Sequence, residues 1–177
     1  MLEKKPAHCC GLLEDLMKNT RNSLRYQKLR NRIYESYAAI AWMPLRIEAL
    51  SHTSAVETAS LALCAQADLE DTDAELIGAA ALLHDCSKFL DNAPSKDHAR
   101  LSAFKAEAIL KEEECWNPTE IERIVQAIAN HSKKSWIGED FNEILKNADV
   151  LARAASGDWN EENPWVSKRL ERMLDQD

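Results

Sequence analysis

Residues 73–86 read DAELIGAAALLHDC, and the reading of the rest of the chain turns on this stretch. Leu76, Ile77, Ala80, Ala81, Leu82 and Leu83 place apolar side chains on nearly every face of a helix, which suits a helix surrounded by others better than one lying on a surface. The polar end is therefore conspicuous. His84 and Asp85 follow Leu83 directly, and each is costly to bury unless it is bonded to something. A metal ion is one such partner.

On either side of this segment apolar residues recur at helical spacing over about 11–40, 45–67, 97–114, 118–132, 140–156 and 163–174. Thr72 with Glu75, and Asn117 with Pro118 and Glu120, read as helix starts of the capping type, while Pro44 and Pro94 end what precedes them. Strand alternation is nowhere convincing, and no repeat or low-complexity tract divides the chain. With 177 residues the expectation is one all-α domain of stacked helices.

Composition narrows the function classes. The chain is 45% hydrophobic and 29% charged, the profile of a globular protein, with only 4 Gly and 5 Pro. No apolar run has the length a membrane helix needs, and the opening residues MLEKKPAHCC lack the apolar core of a signal peptide, so the expected location is the cytoplasm. The five Cys, at positions 9, 10, 64, 86 and 115, are odd in number and irregular in spacing, which suits reduced thiols. His8, Cys9 and Cys10 resemble half of a metal cluster, but no second Cys pair follows at a usable spacing. A net charge of −8 disfavours long nucleic acids. The basic concentration at residues 18–32, KNTRNSLRYQKLRNR, interleaves Leu24, Tyr26 and Leu29 at helical spacing and is read as a solvated helix face.

Four of the five His stand in or at the end of apolar helical patterns: His52 before Val56, Ala59 and Leu63; His84 after Leu83; His98 before Leu101; His131 after Ile124, Ala127 and Ile128. One such His is ordinarily a hydrogen-bonded core residue. Four, together with Asp85 and with Asp149 among Ile144, Leu145, Ala148, Val150 and Leu151, point to a shared partner, because an unpaired carboxylate in such a setting is expensive.

In chain order these residues occur as SHTSAVETA around His52, ALLHDCSK around His84 and Asp85, DHARLSAFKAEAIL around His98, IVQAIANHS around His131 and NADVLAR around Asp149. The series resembles the HD-domain superfamily of metal-dependent phosphohydrolases, from about Arg46 to Arg153. The resemblance implies an HD-domain helical bundle of about six to seven helices over 46–156, with an additional N-terminal helix in 1–45 packed on the same domain and a C-terminal helix in 157–177. It implies that His52, His84, Asp85 and Asp149 hold one metal and that Asp85, His98 and His131 hold a second, with Asp85 bridging and acting in catalysis. Lys88, at the lysine of the family's HDxxK pattern, would face the substrate phosphate as a positive point charge; the alternative is a solvent-facing lysine at a helix end. Cys86 and Ser87 replace the Ile-Gly that many relatives carry, so the turn has to be made without glycine.

Imidazole and carboxylate donors without thiolate suit Mn, Fe, Co, Ni or Zn rather than Mg or Ca. Two such ions can acidify a shared water and clamp the oxygens of an in-line phosphoryl displacement. The resemblance thus implies hydrolysis of a phosphate ester or anhydride of a small metabolite, most readily a nucleotide, with a di-iron oxygenase and a non-catalytic nucleotide-binding regulatory module as alternatives. Lys133, Lys134 and Arg153 are weaker candidates: the lysines for phosphate or leaving group, with simple solvation as the commoner reading, and Arg153 for orienting Asp149 from one turn away. Trp116, Trp136, Trp159 and Trp165 could stack on a base, though tryptophans more often fill a core. The segments outside the resemblance are expected to pack on the domain or form a homodimer contact.

Overall fold

The computed structural model describes residues 19–20, 22–157 and 164–174. His8, Cys9, Cys10, Trp159 and the side chain of Trp165 lie outside the described residues. The described chain is helical throughout and contains no strand: α1 (Leu24–Ala38), α2 (Met43–Gln66), α3 (Asp71–Leu83), α4 (Cys86–Asp91), α5 (His98–Glu112), α6 (Pro118–Asn130), α7 (Asp140–Ala155) and α8 (Pro164–Leu174). Among the described residues no helix is long and apolar enough to cross a membrane.

The central helix is α3, as its all-round apolar pattern predicts. Every residue from Ala74 to Leu83 is buried, and α1, α2, α5, α6 and α7 all pack against it. Along its flanks α2 lies against α7 and α5 against α6. Helix α1 contributes Tyr26, Leu29, Ile33 and Tyr37 from one face at three- and four-residue spacing. Tyr26 comes so close to α3 that a Cβ on Gly78 would lie 2.8 Å from its hydroxyl oxygen, so α1 can seat there only over a residue without a side chain.

The arginines of α1 are not the solvated face expected of this basic stretch. Arg25 pairs with Glu75 (2.6 Å) and Glu120 (2.9 Å), Arg30 with Glu57 (2.8 Å), and Arg32 with Glu113 (2.8 Å). Glu57 is buried and also accepts from Tyr26 Oη and Tyr34 Oη, each at 3.0 Å. These charges tie α1 to α2, α3, α5 and α6.

Several boundaries differ from the sequence pattern for local reasons. The helix expected over 11–40 is broken at Ser23, whose backbone is extended and whose hydroxyl donates to Glu75. Glu75 is thus engaged with Ser23 and Arg25 and makes no capping box with Thr72; the N-cap of α3 is Glu70. At Asn117 the expected capping box is present, with Asn117 and Glu120 bonding reciprocally. The segment expected to run to residue 86 stops at Leu83. His84 and Asp85 turn the chain, and the short α4 starts at Cys86 and ends on left-handed Asn92, two residues before Pro94.

Candidate metal centre

The turn at the end of α3 decides where the site lies. Asp85 turns the chain with φ −112° and ψ 16°, and Ser87, where many relatives carry glycine, lies inside α4 without a positive φ, so no left-handed backbone is required there. Ser87 secures the turn instead: its amide donates to Ser102 Oγ (3.1 Å) and its hydroxyl to the His98 carbonyl (3.3 Å). Cys86 is packed, with its thiol toward the Ser102 carbonyl at 3.6 Å and pushed up to about 12 by burial. The same contacts bring the start of α5, and with it His98, over Asp85.

The six predicted residues then converge from six helices or their ends: His52 within α2, His84 after α3, Asp85 before α4, His98 at the start of α5, His131 at the end of α6 and Asp149 within α7. Three imidazoles are oriented by backbone. Nδ1 of His84 lies 2.7 Å from the Ala81 carbonyl, Nδ1 of His131 lies 2.7 Å from the Ile128 carbonyl, and Nδ1 of His98 faces the Ser95 carbonyl. A carbonyl only accepts, so in each neutral ring Nδ1 carries the proton and Nε2 presents a bare lone pair. The lone pairs of His98 and His131 face each other, and that of His84 faces Nε2 of His52. His98 and His131 meet Nε2 to Nε2 at 3.0 Å, and His52 and His84 at 3.1 Å.

Between the two pairs is Asp85. Its Oδ1 lies 3.3 Å from His98 Nε2 and 3.5 Å from His131 Nε2, and its Oδ2 lies 3.7 Å from both His52 Nε2 and His84 Nε2. Both oxygens are buried without a hydrogen-bond partner. A fully buried carboxylate in that condition is costly unless a cation meets it. The donor atoms form two groups that share Asp85, one with His52 and His84 and one with His98 and His131, each within 4.8 Å.

This arrangement fits divalent metal. Two nitrogens about 2.1 Å from one ion and about 90° apart would be separated by about 3.0 Å, which is the spacing of the histidine pairs. A cation held at either pair would turn repulsion between nitrogens into ligation and would meet the Asp85 oxygen that faces that pair. Burial pushes His84 down to about 3 and lowers His98 as well, which keeps both rings neutral and able to ligate.

Asp149 joins from the His52 side, with Oδ1 3.3 Å from His52 Nε2. The sequence left its supports open, and the structure supplies two. Arg153 Nε donates to Oδ1 at 3.0 Å, the orienting contact considered for it, and Lys134 Nζ donates to Oδ2 at 2.7 Å. Burial raises the Asp149 carboxyl, yet Lys134, followed by His52 and Arg153, holds it well below its ordinary value. Lys134 is therefore not a solvated lysine: its ammonium is engaged by Asp149, and burial lowers its own pKa. Lys133 is exposed, and its ammonium donates to Asn130 Oδ1 at 2.9 Å.

A cleft of about 550 Å³ reaches the His52 side of the cluster, lined by Glu48, Ser51, His52, Lys88, Arg153 and Ser156 among others. Lys88 is in the cleft rather than out in solvent. Its Nζ is 3.6 Å from Asp85 Oδ2 and is held by Glu48 Oε1 at 2.9 Å, a partner that no sequence signal indicated. Neither Trp116 nor Trp136 lines this cleft. Trp116 is buried under Arg25, and the ring of Trp136 carries Lys146.

No curated protein and no solved structure matches the chain significantly. The family model of the HD domain matches residues 50–154, more than half of the chain and the whole span from His52 to Asp149. The chain therefore belongs to the HD domain family, in general a family of metal-dependent hydrolases.

Proposed function

We propose that this chain is a phosphohydrolase that uses divalent transition ions to cleave a phosphate ester or anhydride of a small metabolite, with nucleotides the favoured class. One ion would be held by His52, His84, Asp85 and Asp149, and a second by Asp85, His98 and His131. The observation that carries the reading is Asp85: a buried carboxylate with neither oxygen hydrogen-bonded, each facing a different pair of imidazole nitrogens. When bound, the ions would supply Lewis-acid polarisation of a phosphoryl oxygen and a water acidic enough to attack near neutral pH.

The protein's own residues do the rest. His84, His98 and His131 are fixed in one tautomer by backbone carbonyls, so no proton has to leave Nε2 before it ligates. Lys88, aimed by Glu48 at the cleft side of Asp85, places a positive charge where a phosphoryl oxygen would arrive. Arg153 borders the same cleft while its Nε holds Asp149. The cleft volume lies within the range of small-molecule sites and suits a metabolite better than a polymer.

The test is phosphate release from a panel of nucleoside mono-, di- and polyphosphates and sugar phosphates, with Mn, Co, Ni, Fe or Zn added to chelator-treated protein. Metal-dependent release from at least one ester or anhydride is expected. Stoichiometric metal with no release from any of them would contradict the proposal, and oxygen uptake by the iron-loaded protein would replace it with an oxygenase.

A further inference from the structure

The loop between α6 and α7 carries a lysine, its side chain 10% exposed, that phosphate hydrolysis does not by itself require. Lys134 Nζ donates to Asp149 Oδ2 at 2.7 Å and to the Lys146 carbonyl at 3.2 Å. The loop has no glycine or proline between His131 and Trp136 to preset its course, so its contacts determine its shape. Beyond its own backbone bonds and the Gly138 amide on Glu143, two cations brace it from α7 and α8. Lys146, fully buried on α7, donates to the Trp136 carbonyl at 2.9 Å and to Glu143 Oε1 at 2.7 Å. Arg169, on α8 and 4% exposed, donates through Nε to the Lys134 carbonyl at 2.7 Å and through Nη2 to the Trp136 carbonyl at 3.0 Å; its Nη1 reaches Glu143 Oε2 at 2.6 Å and Asn147 Oδ1 at 2.9 Å.

The guanidinium fork matches this task. A planar group with five donors can hold two loop carbonyls and two α7 side chains together, which three donors on one ammonium nitrogen cannot. Arg169 also lies beyond residue 154, outside the span that matches the family. From the C-terminal helix it is linked to the cluster of donor atoms by one continuous path: Arg169 to the backbone of Lys134, Lys134 to Asp149 Oδ2, and Asp149 Oδ1 to His52 Nε2 at 3.3 Å.

We infer that Lys134 and Arg169 are positioning residues: Arg169 fixes the loop, the loop fixes Lys134, and Lys134 locks the Asp149 carboxylate with Oδ1 toward His52, so that the C-terminal helix sets metal affinity on the His52 side. The inference rests on the metal reading above. Removal of an outer partner of a ligating carboxylate weakens metal binding by about 10- to 100-fold. The sign is diagnostic. A lysine that merely added positive charge beside cations would, once removed, leave metal binding tighter.

The experiment is calorimetric titration of Zn or Co into chelator-stripped full-length protein, with Lys134→Met, Arg169→Met, Arg169→Lys and the Lys134→Met/Arg169→Met double variant, and thermal melting of each in chelator alongside. Lys134→Met should weaken at least one bound ion by about 10- to 100-fold, and Arg169→Met should weaken it in the same direction. The double variant should be no weaker than the worse single one, because the two act along one path. Arg169→Lys should recover only part of the loss, and with Lys134→Met it keeps the test decisive if Arg169→Met does not fold. Unchanged or tighter binding by Lys134→Met would overturn the inference. So would an Arg169→Met protein that melts lower in chelator yet binds metal with full affinity. Absence of metal binding by the unsubstituted protein would overturn the metal reading and this inference with it.

Discussion

Asp85 shows how one residue can be arranged for a partner that the protein alone does not provide. Its oxygens are buried and unbonded, while the histidines around it are held by backbone carbonyls that leave their Nε2 atoms facing inward. Lys88 belongs to the same few ångströms but to a different role. It stands 3.6 Å from Asp85 Oδ2 and opens on the cleft, close enough to meet a substrate, and its ammonium has no lone pair with which to ligate a metal. Lys88→Ala should therefore keep its full complement of metal and lose about 10²-fold in kcat; elemental analysis beside steady-state phosphate release reads both, and an equal loss of metal would make Lys88 structural. The residue types at this scale were legible in the sequence, because four His and two Asp among apolar neighbours need a common reason. Lys134 and Glu48 were not legible. Lysines after a helix and acidic residues near a helix start are common on surfaces, and only the fold shows that one is buried against Asp149 and the other aims Lys88.

At the scale of elements, α3 was the most readable part of the chain, since a helix with apolar residues on every face has only one place to be. Its end was less readable. Helical periodicity continues through His84 and Asp85, and the break there comes from tertiary contacts of Ser87 with α5 that no local pattern encodes. The same holds at Ser23 and Thr72, where Glu75 is drawn away from a local cap by Arg25 and Ser23 on a neighbouring segment. Close packing of α1 on α3 gives a prediction of its own. Gly78→Ala improves helix propensity by up to about 1 kcal/mol, but the new Cβ would meet Tyr26, which is fully buried and bonded to Glu57. Overpacking of this kind costs about 1–3 kcal/mol. The variant should therefore unfold at lower urea concentration than the parent; a higher midpoint would mean that α1 shifts freely over α3.

For the whole molecule, the family match covers residues 50–154, and the described helices on either side, α1 and α8, each attach through arginines. An acidic chain of net charge −8 thus places carboxylates in pairs with arginines across helix interfaces, while Asp85 and Asp149 converge with the imidazoles. The basic stretch of α1 was read in sequence as a solvated face because its partners, Glu57, Glu75, Glu113 and Glu120, are distant in the chain. Helix class and the order of the ligand candidates could be read from pattern; the pairing of charges between helices required the fold. The central claim is that the convergence of these helices on Asp85 makes a metal site, and metal content together with thermal melting of the parent and of Asp85→Ala tests it most directly. The account predicts about two transition ions per parent chain, a rise in Tm when metal is returned to chelator-treated protein, worth about 3–4 kcal/mol at 100 to 1,000 times the dissociation constant, and neither effect in Asp85→Ala. Full metal content and an unchanged metal-dependent Tm in Asp85→Ala would contradict it.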